Sequence, residues 1–175
     1  MAGNPSRGSL NPGALSRALA TLSLLAGLGA LGAVLYLQFA EAVQPCSLCI
    51  YQRLADLLMM IAILLGFFIL RRWLWSLASL SALSGAALAG WQWHLANAAA
   101  DRVQACATIQ LWPSQDFSTG SLSGGLTAAL AGHGSCAIAG QQKLAHWPIT
   151  HWSVAFFLGC ALLLIVAVLT QKRRR

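Results

Sequence analysis

The sequence is short of charge, and above all of acidic residues. Only 9% of its 175 residues are charged and only four are Asp or Glu, whereas 58% are hydrophobic. A soluble globular domain has about 25% charged residues. This composition therefore excludes an ordinary soluble domain and predicts residence in a membrane.

Four apolar stretches are long enough to cross a bilayer as helices, which takes about 20 residues each. The segment between the last two stretches is rich in Ala, Gly and Ser and too small for an ordinary second core. We therefore predict an all-α membrane protein, a four-transmembrane-helix bundle with two extracytoplasmic loops that forms one domain over residues 1–175. The predicted spans are about 18–39, 51–70, 73–95 and 147–170, and the outer loops are about 40–50 and 96–146.

The first apolar stretch also has a feature of a signal peptide, because Ala40-Glu41-Ala42 resembles a cleavage site for signal peptidase. A signal peptide has an apolar core of about 7–15 residues. The stretch over residues 18–39 is longer than that and carries no charge, so it favours a retained membrane anchor.

The basic residues fall mostly on one side of this four-span arrangement. On the opposite side lie Arg102 and Lys143, with Arg53 at the membrane edge. Because cytoplasmic segments carry the excess of Lys and Arg, we expect both termini to be cytoplasmic and both loops to lie outside. A nucleic-acid-binding surface is the other explanation for the net charge of +7, and the one-sided distribution argues against it. The residues on the basic side are Arg7, Arg17, Arg71, Arg72, Lys172, Arg173, Arg174 and Arg175.

The predicted topology assigns each of the five cysteines to an outer loop or to a span. Cys46 and Cys49 belong to the first outer loop, Cys106 and Cys136 to the second, and Cys160 lies alone within the fourth span. In an oxidising compartment the four outer cysteines can pair as two disulfides. Proximity favours Cys46–Cys49 and Cys106–Cys136, although the sequence alone leaves the connectivity open.

Each pair has a structural as well as a catalytic explanation. A four-residue Cys-x-x-Cys run such as Cys46-Ser-Leu-Cys49 gains little from closing its short loop and is typical of redox-active pairs. Cys106–Cys136 can instead be a staple that closes a loop of about 30 residues. A zinc site needs a second knuckle, which the distant Cys106 and Cys136 do not form, so no metal is predicted.

Residues beside the first pair strengthen the redox hypothesis. Pro45 biases the chain away from helix just before Cys46, so a helix is expected to begin near this point with Cys49 in its first turn. The positive end of that helix favours a thiolate. Arg53 follows Cys49 by one helical turn and is a candidate to stabilise a thiolate or a bound carbonyl; a snorkelling arginine paired with Asp56 is the alternative.

The run Gln44-Pro45-Cys46-Ser-Leu-Cys49-Ile-Tyr-Gln-Arg53 resembles the first-loop motif of the DsbB family of bacterial disulfide bond formation proteins. The resemblance extends to the four spans, to the loop lengths and to a cysteine pair in each loop. Weaker family-like segments surround Cys106 and Cys136.

The resemblance implies an electron path in the bacterial inner membrane. Cys106 and Cys136 would reoxidise a soluble periplasmic DsbA-like oxidase of the thioredoxin fold, with Cys106 forming the mixed disulfide. Electrons would pass to Cys46 and Cys49, and then to ubiquinone or menaquinone beside Arg53. A histidine is common in the family at the outer end of the third span, where this chain has His94 slightly offset and Gln92 as its possible replacement.

Three other functions remain open from the sequence, and one of them is a non-catalytic assembly protein, whose cysteines would not change redox state during turnover. In proteins that resemble vitamin K epoxide reductase, the loop cysteines precede the Cys-x-x-Cys run, and the order here is the reverse. A haem-binding electron-transfer subunit would need histidine ligands, for which His94 and His151 are the candidates.

Overall fold

The computed structural model describes residues 12–40, 45–69, 72–97, 139, 141–144 and 146–172. These residues form four long helices, each apolar and long enough to cross a membrane. The predicted four-span all-α bundle is therefore confirmed. Cys106 and Cys136 lie outside the described residues. The helices are α1 (Pro12–Ala40), α2 (Ser47–Ile69), α3 (Arg72–Ala96) and α4 (Ile149–Lys172).

The four helices pack as a ring. Both α1 and α3 contact α2 and α4, so each helix has two neighbours in the order α1, α2, α3, α4. Hydrogen bonds join the first turns of α2 to the last turns of α1 and α3, through Arg53–Gln38 and Gln52–Gln92. The end of the bundle where α1 and α3 end and α2 and α4 begin is called the cysteine end below.

The main apolar core fills the bundle away from the cysteine end. Many of its buried positions are alanines, and small side chains let membrane helices approach closely. At Gly66 of α2, even a Cβ atom would lie 2.0 Å from Nε1 of Trp75 on α3, so these helices touch there. Cys160 is buried in this core, as predicted for a lone thiol in the fourth span. The buried alanines are Ala20, Ala78, Ala82, Ala161 and Ala167.

The outer surface of the bundle is covered by large apolar side chains. Phe68 is 81% exposed and Leu162 is 64% exposed. Such a surface is unfavourable in water but suits lipid chains, which are as apolar as leucine. Membrane embedding thus explains both the core and the surface.

A short β-ladder leads into α4 at the cysteine end. Strands β1 (Lys143–Leu144) and β2 (Trp147–Pro148) pair antiparallel. His146 occupies the left-handed region with φ of 73°, and the Ile149 amide donates to the Gln142 carbonyl at 2.8 Å. The helix consequently begins at Ile149, slightly after the predicted start of the fourth span.

Candidate active site

The two cysteines of the first pair occupy the start of α2. As predicted, the chain enters the helix directly after Pro45 and Cys46. The Cys46 carbonyl accepts a hydrogen bond from the Ile50 amide at 3.2 Å, and its Sγ accepts one from the Cys49 amide at 3.3 Å. Cys46 thus holds the N-cap position, where unpaired amides and the positive end of the helix dipole favour negative charge.

The two sulfur atoms lie close enough to be joined by a disulfide bond when the pair is oxidised. Sγ of Cys46 and Sγ of Cys49 are 2.7 Å apart, and a disulfide bond of about 2.05 Å needs only a small further approach. The hydrogen bond to Cys49, together with burial, raises the pKa of Cys46 above its usual value. Cys46 therefore keeps its proton when the pair first ionises.

A buried glutamine on α3 holds both sulfurs. The Gln92 amide nitrogen lies 3.5 Å from Sγ of Cys46 and 3.4 Å from Sγ of Cys49, and donates toward both. Its oxygen accepts a hydrogen bond of 2.7 Å from the Gln52 amide. Only 2% of Gln92 is exposed. This chain of two amides fixes the sulfurs and offers a donor to a thiolate.

An apolar cleft opens beside the pair, between α1, α2 and α4. Its volume is about 110 Å³. Cys49 lines this cleft, whereas Cys46 is not among its lining residues and is fully buried in a cluster with Leu48, Leu95 and Ala139. The two sulfurs thus have different surroundings. The apolar wall residues from α1 and α4 are Ala30, Leu31, Val34, Leu37, Ile149, Phe156 and Phe157.

Arg53 brings a permanent positive charge to the cleft. It is only 9% exposed, it lines the same cleft as Cys49, and it donates a hydrogen bond to Oε1 of Gln38 on α1. Oδ1 of Asp56 is buried without a hydrogen-bond partner among the described residues, so this oxygen does not hold Arg53. A guanidinium is therefore held where an anion or a carbonyl oxygen in the cleft would meet it.

The structure does not bring His94 to the cleft. His94 is exposed, and its ring contacts Trp91 at a centroid distance of 5.8 Å. The ring of His151 contacts a different tryptophan, Trp93, at 5.0 Å. Gln92, the possible replacement considered for His94, is the α3 side chain that faces the sulfurs.

Two residues of the site carry only a weak signal in the sequence. Gln38 and Gln92 are polar residues within apolar spans, and polar side chains in such spans commonly face the bundle interior. That rule marks them as candidates. It does not say which helix each one faces, so their contacts with Arg53 and with the sulfurs come from the structure.

A reactive dithiol at a helix start, open to an apolar cleft within four membrane helices, defines a membrane-embedded thiol–disulfide oxidoreductase. The comparison with known families agrees with this class. The sequence profile of the family described as Disulfide bond formation protein DsbB matches residues 16–167. The chain belongs to this family.

Relatives of the same description match over most of the chain. It is 29% identical over 165 residues to Disulfide bond formation protein B 2 of Pseudomonas fluorescens (strain Pf0-1), covering 90% of this chain and 87% of the relative. It is 30% identical over 155 residues to Disulfide bond formation protein B of Hahella chejuensis (strain KCTC 2396), covering 82% and 88%. No solved structure matches the chain significantly.

Proposed function

We propose that this protein reoxidises a soluble periplasmic thioredoxin-fold oxidase of the DsbA type and passes the electrons to a membrane quinone. Membership of the disulfide bond formation family supports the thiol chemistry. The observation that supports the acceptor is the cleft in which the Cys49 thiol and the buried Arg53 guanidinium meet apolar walls. Cys49 would be the electron donor, and the cleft beside it would bind a flat, apolar molecule with polar oxygens.

The residues of the cleft fit a quinone. Its walls are apolar, as the ring and tail of a membrane quinone require, and Arg53 can donate hydrogen bonds to a carbonyl oxygen. When bound, ubiquinone or menaquinone supplies a two-electron, two-proton acceptor strong enough to keep the periplasm oxidising. Arg53 would hold the carbonyl oxygen and stabilise the negative charge that develops there.

The two cysteines of the first pair would have different partners in electron transfer. Cys49 lines the cleft and would deliver electrons to the acceptor. Cys46 does not line the cleft; it is buried in one cluster with Ala139, which follows Cys136 by three residues in the sequence. This shared cluster supports exchange between Cys46–Cys49 and the loop pair Cys106–Cys136. The family resemblance, rather than the cluster, assigns Cys106 to the mixed disulfide with the soluble oxidase.

Purified protein, a reduced DsbA-type oxidase and a short-chain quinone analogue form the direct test. We expect the quinone absorbance to fall only when all three are present, and two oxidase thiols to disappear for each quinone consumed. Thiol loss without quinone consumption would contradict the proposed acceptor. A haem-binding carrier, the rival function, predicts instead a haem absorption spectrum and turnover that survives replacement of the cysteines.

The proposed inner-membrane topology has both termini in the cytoplasm and both loops in the periplasm. It rests on the bias of basic residues toward one side of the spans. Alkaline phosphatase fused after Arg72 should be inactive, and the same enzyme fused after Gly125 should be active, because it folds only in an oxidising compartment. Equal activity of the two fusions would contradict this topology.

A further inference from the structure

A carboxyl group lies in the cleft, and one of its oxygens has no hydrogen-bond partner among the residues that the structure describes. Asp56 is on α2, three residues beyond Arg53, and it lines the same cleft. It is 4% exposed, and its Oδ1 is buried with no hydrogen-bond partner among the described residues. Within the described part of the chain it is the only acidic residue.

Burial makes an ionised Asp56 costly. Leu31, Phe156 and Phe157 share the cleft with it, and Arg53 is the one cation among the described lining residues. Oδ1 receives no hydrogen bond from the described residues, and a buried carboxylate oxygen without a donor is unfavourable. The neutral acid avoids that cost and carries one O–H donor. Because the described protein groups leave Oδ1 unsatisfied, a molecule bound in the cleft is its natural partner.

Helix α1 leaves space for this carboxyl group at Gly27. A Cβ atom at Gly27 would lie 2.8 Å from Oδ1 of Asp56 and 3.1 Å from Cγ of Met60. Any larger residue would have to push the carboxyl group aside. By contrast, a Cβ atom at Gly29 would meet nothing within 4 Å.

Arg53 and Asp56 place two different donors on one face of α2. Residues three apart on a helix are neighbours, with about 5–6 Å between their Cβ atoms. One donor is permanently charged, and the other, when protonated, is a neutral donor that can release its proton. This pairing suits an acceptor that has an oxygen at each side of a ring.

We propose that Asp56 holds a proton for the electron acceptor of this cleft, donating a hydrogen bond to the oxygen remote from Arg53 and giving up the proton as that oxygen is reduced. This inference rests on the proposed function. Formation of the Cys46–Cys49 disulfide releases two electrons and two protons. A quinone that accepts the two electrons and two protons becomes a quinol. Asp56 supplies one of the two protons and is reprotonated by one of the two that the thiols release; the other thiol proton goes to the oxygen beside Arg53.

Infrared difference spectroscopy tests the proposal without turnover. Adding a short-chain ubiquinone analogue to wild-type protein should shift the C=O band of a protonated carboxylic acid, and Asp56→Asn should lack this band. Gly27→Ala should perturb the band, whereas the matched control Gly29→Ala should not. A band that is absent from wild type, or one that persists in Asp56→Asn, would overturn the proposal.

Kinetics supply the second measurement. Because an amide keeps a hydrogen-bond donor but cannot release a proton, Asp56→Asn should lower kcat for quinone reduction by about 100-fold, with little change in the quinone KM. Asp56→Glu should recover part of the rate. If wild type fails to reduce the analogue, the proposed function fails. If wild type reduces it and Asp56→Asn has the same kcat, only the role of Asp56 fails.

Discussion

Replacing Cys49 with serine should abolish electron transfer to the quinone. Cys49 is the sulfur that lines the cleft, and a serine hydroxyl cannot form the disulfide that releases the electrons. Loss of an essential nucleophile lowers enzyme turnover by about 1,000-fold or more. Quinone absorbance during turnover with a reduced DsbA-type oxidase is the measurement, and it should stay at the level without enzyme.

The matched control is the equivalent change at the cysteine in α4. Cys160→Ser removes a thiol from the apolar core, outside the residues that line the cleft. Since such a buried cysteine acts as a small hydrophobe, we expect turnover close to that of wild type and a modest loss of stability. Turnover that survives in Cys49→Ser, or that disappears in Cys160→Ser, would contradict the assignment of the cysteines.

Arg53→Gln should weaken quinone use while sparing thiol exchange. A hydrogen bond to a charged group contributes about 1.5–3 kcal/mol, and its loss should raise the quinone KM by roughly 10- to 100-fold. Arg53→Lys keeps the charge but not the planar set of donors, so its effect should be intermediate. Quinone reduction and exchange with the soluble oxidase are measured separately in each variant.

The contrast between these two half-reactions makes the Arg53 test decisive. If Arg53 served only to join α2 to α1 through Gln38, then Arg53→Gln would lower the yield and the melting temperature, with normal quinone kinetics in the folded protein. Gln38→Leu removes this contact but keeps the positive charge of Arg53. Because Gln38 itself lines the cleft, this variant should lose stability and should raise the quinone KM by less than Arg53→Gln does.

The sequence predicts the spans and the start of the site because both depend on local patterns. Apolar length identifies the four helices, and Pro45 marks the point at which α2 begins. The spacing from Cys49 to Arg53 then places both on one helical face. These features require no knowledge of which helices are neighbours.

The contacts between helices could not be predicted in the same way. The spans are apolar on nearly every side, so the pattern does not show which face of each helix meets the others. Gln92 and His94 are two residues apart and point about 200° apart around a helix, so only one can face the sulfurs. The structure selects Gln92. The two-residue ladder before α4 depends on the turn at His146, which has no strong sequence signal.

Amide side chains rather than ionisable ones hold the redox pair from α2 and α3. Gln52 and Gln92 form a hydrogen-bonded chain that ends at the sulfurs, and neither amide gains or loses a proton in the physiological range. A histidine in the place of Gln92 would acquire a positive charge near pH 6.5 and would make the pair more oxidising in acid by favouring the thiolate. With glutamine there, this contact adds no titrating group of its own, so it leaves the redox potential of Cys46–Cys49 with the pH dependence of the thiols themselves.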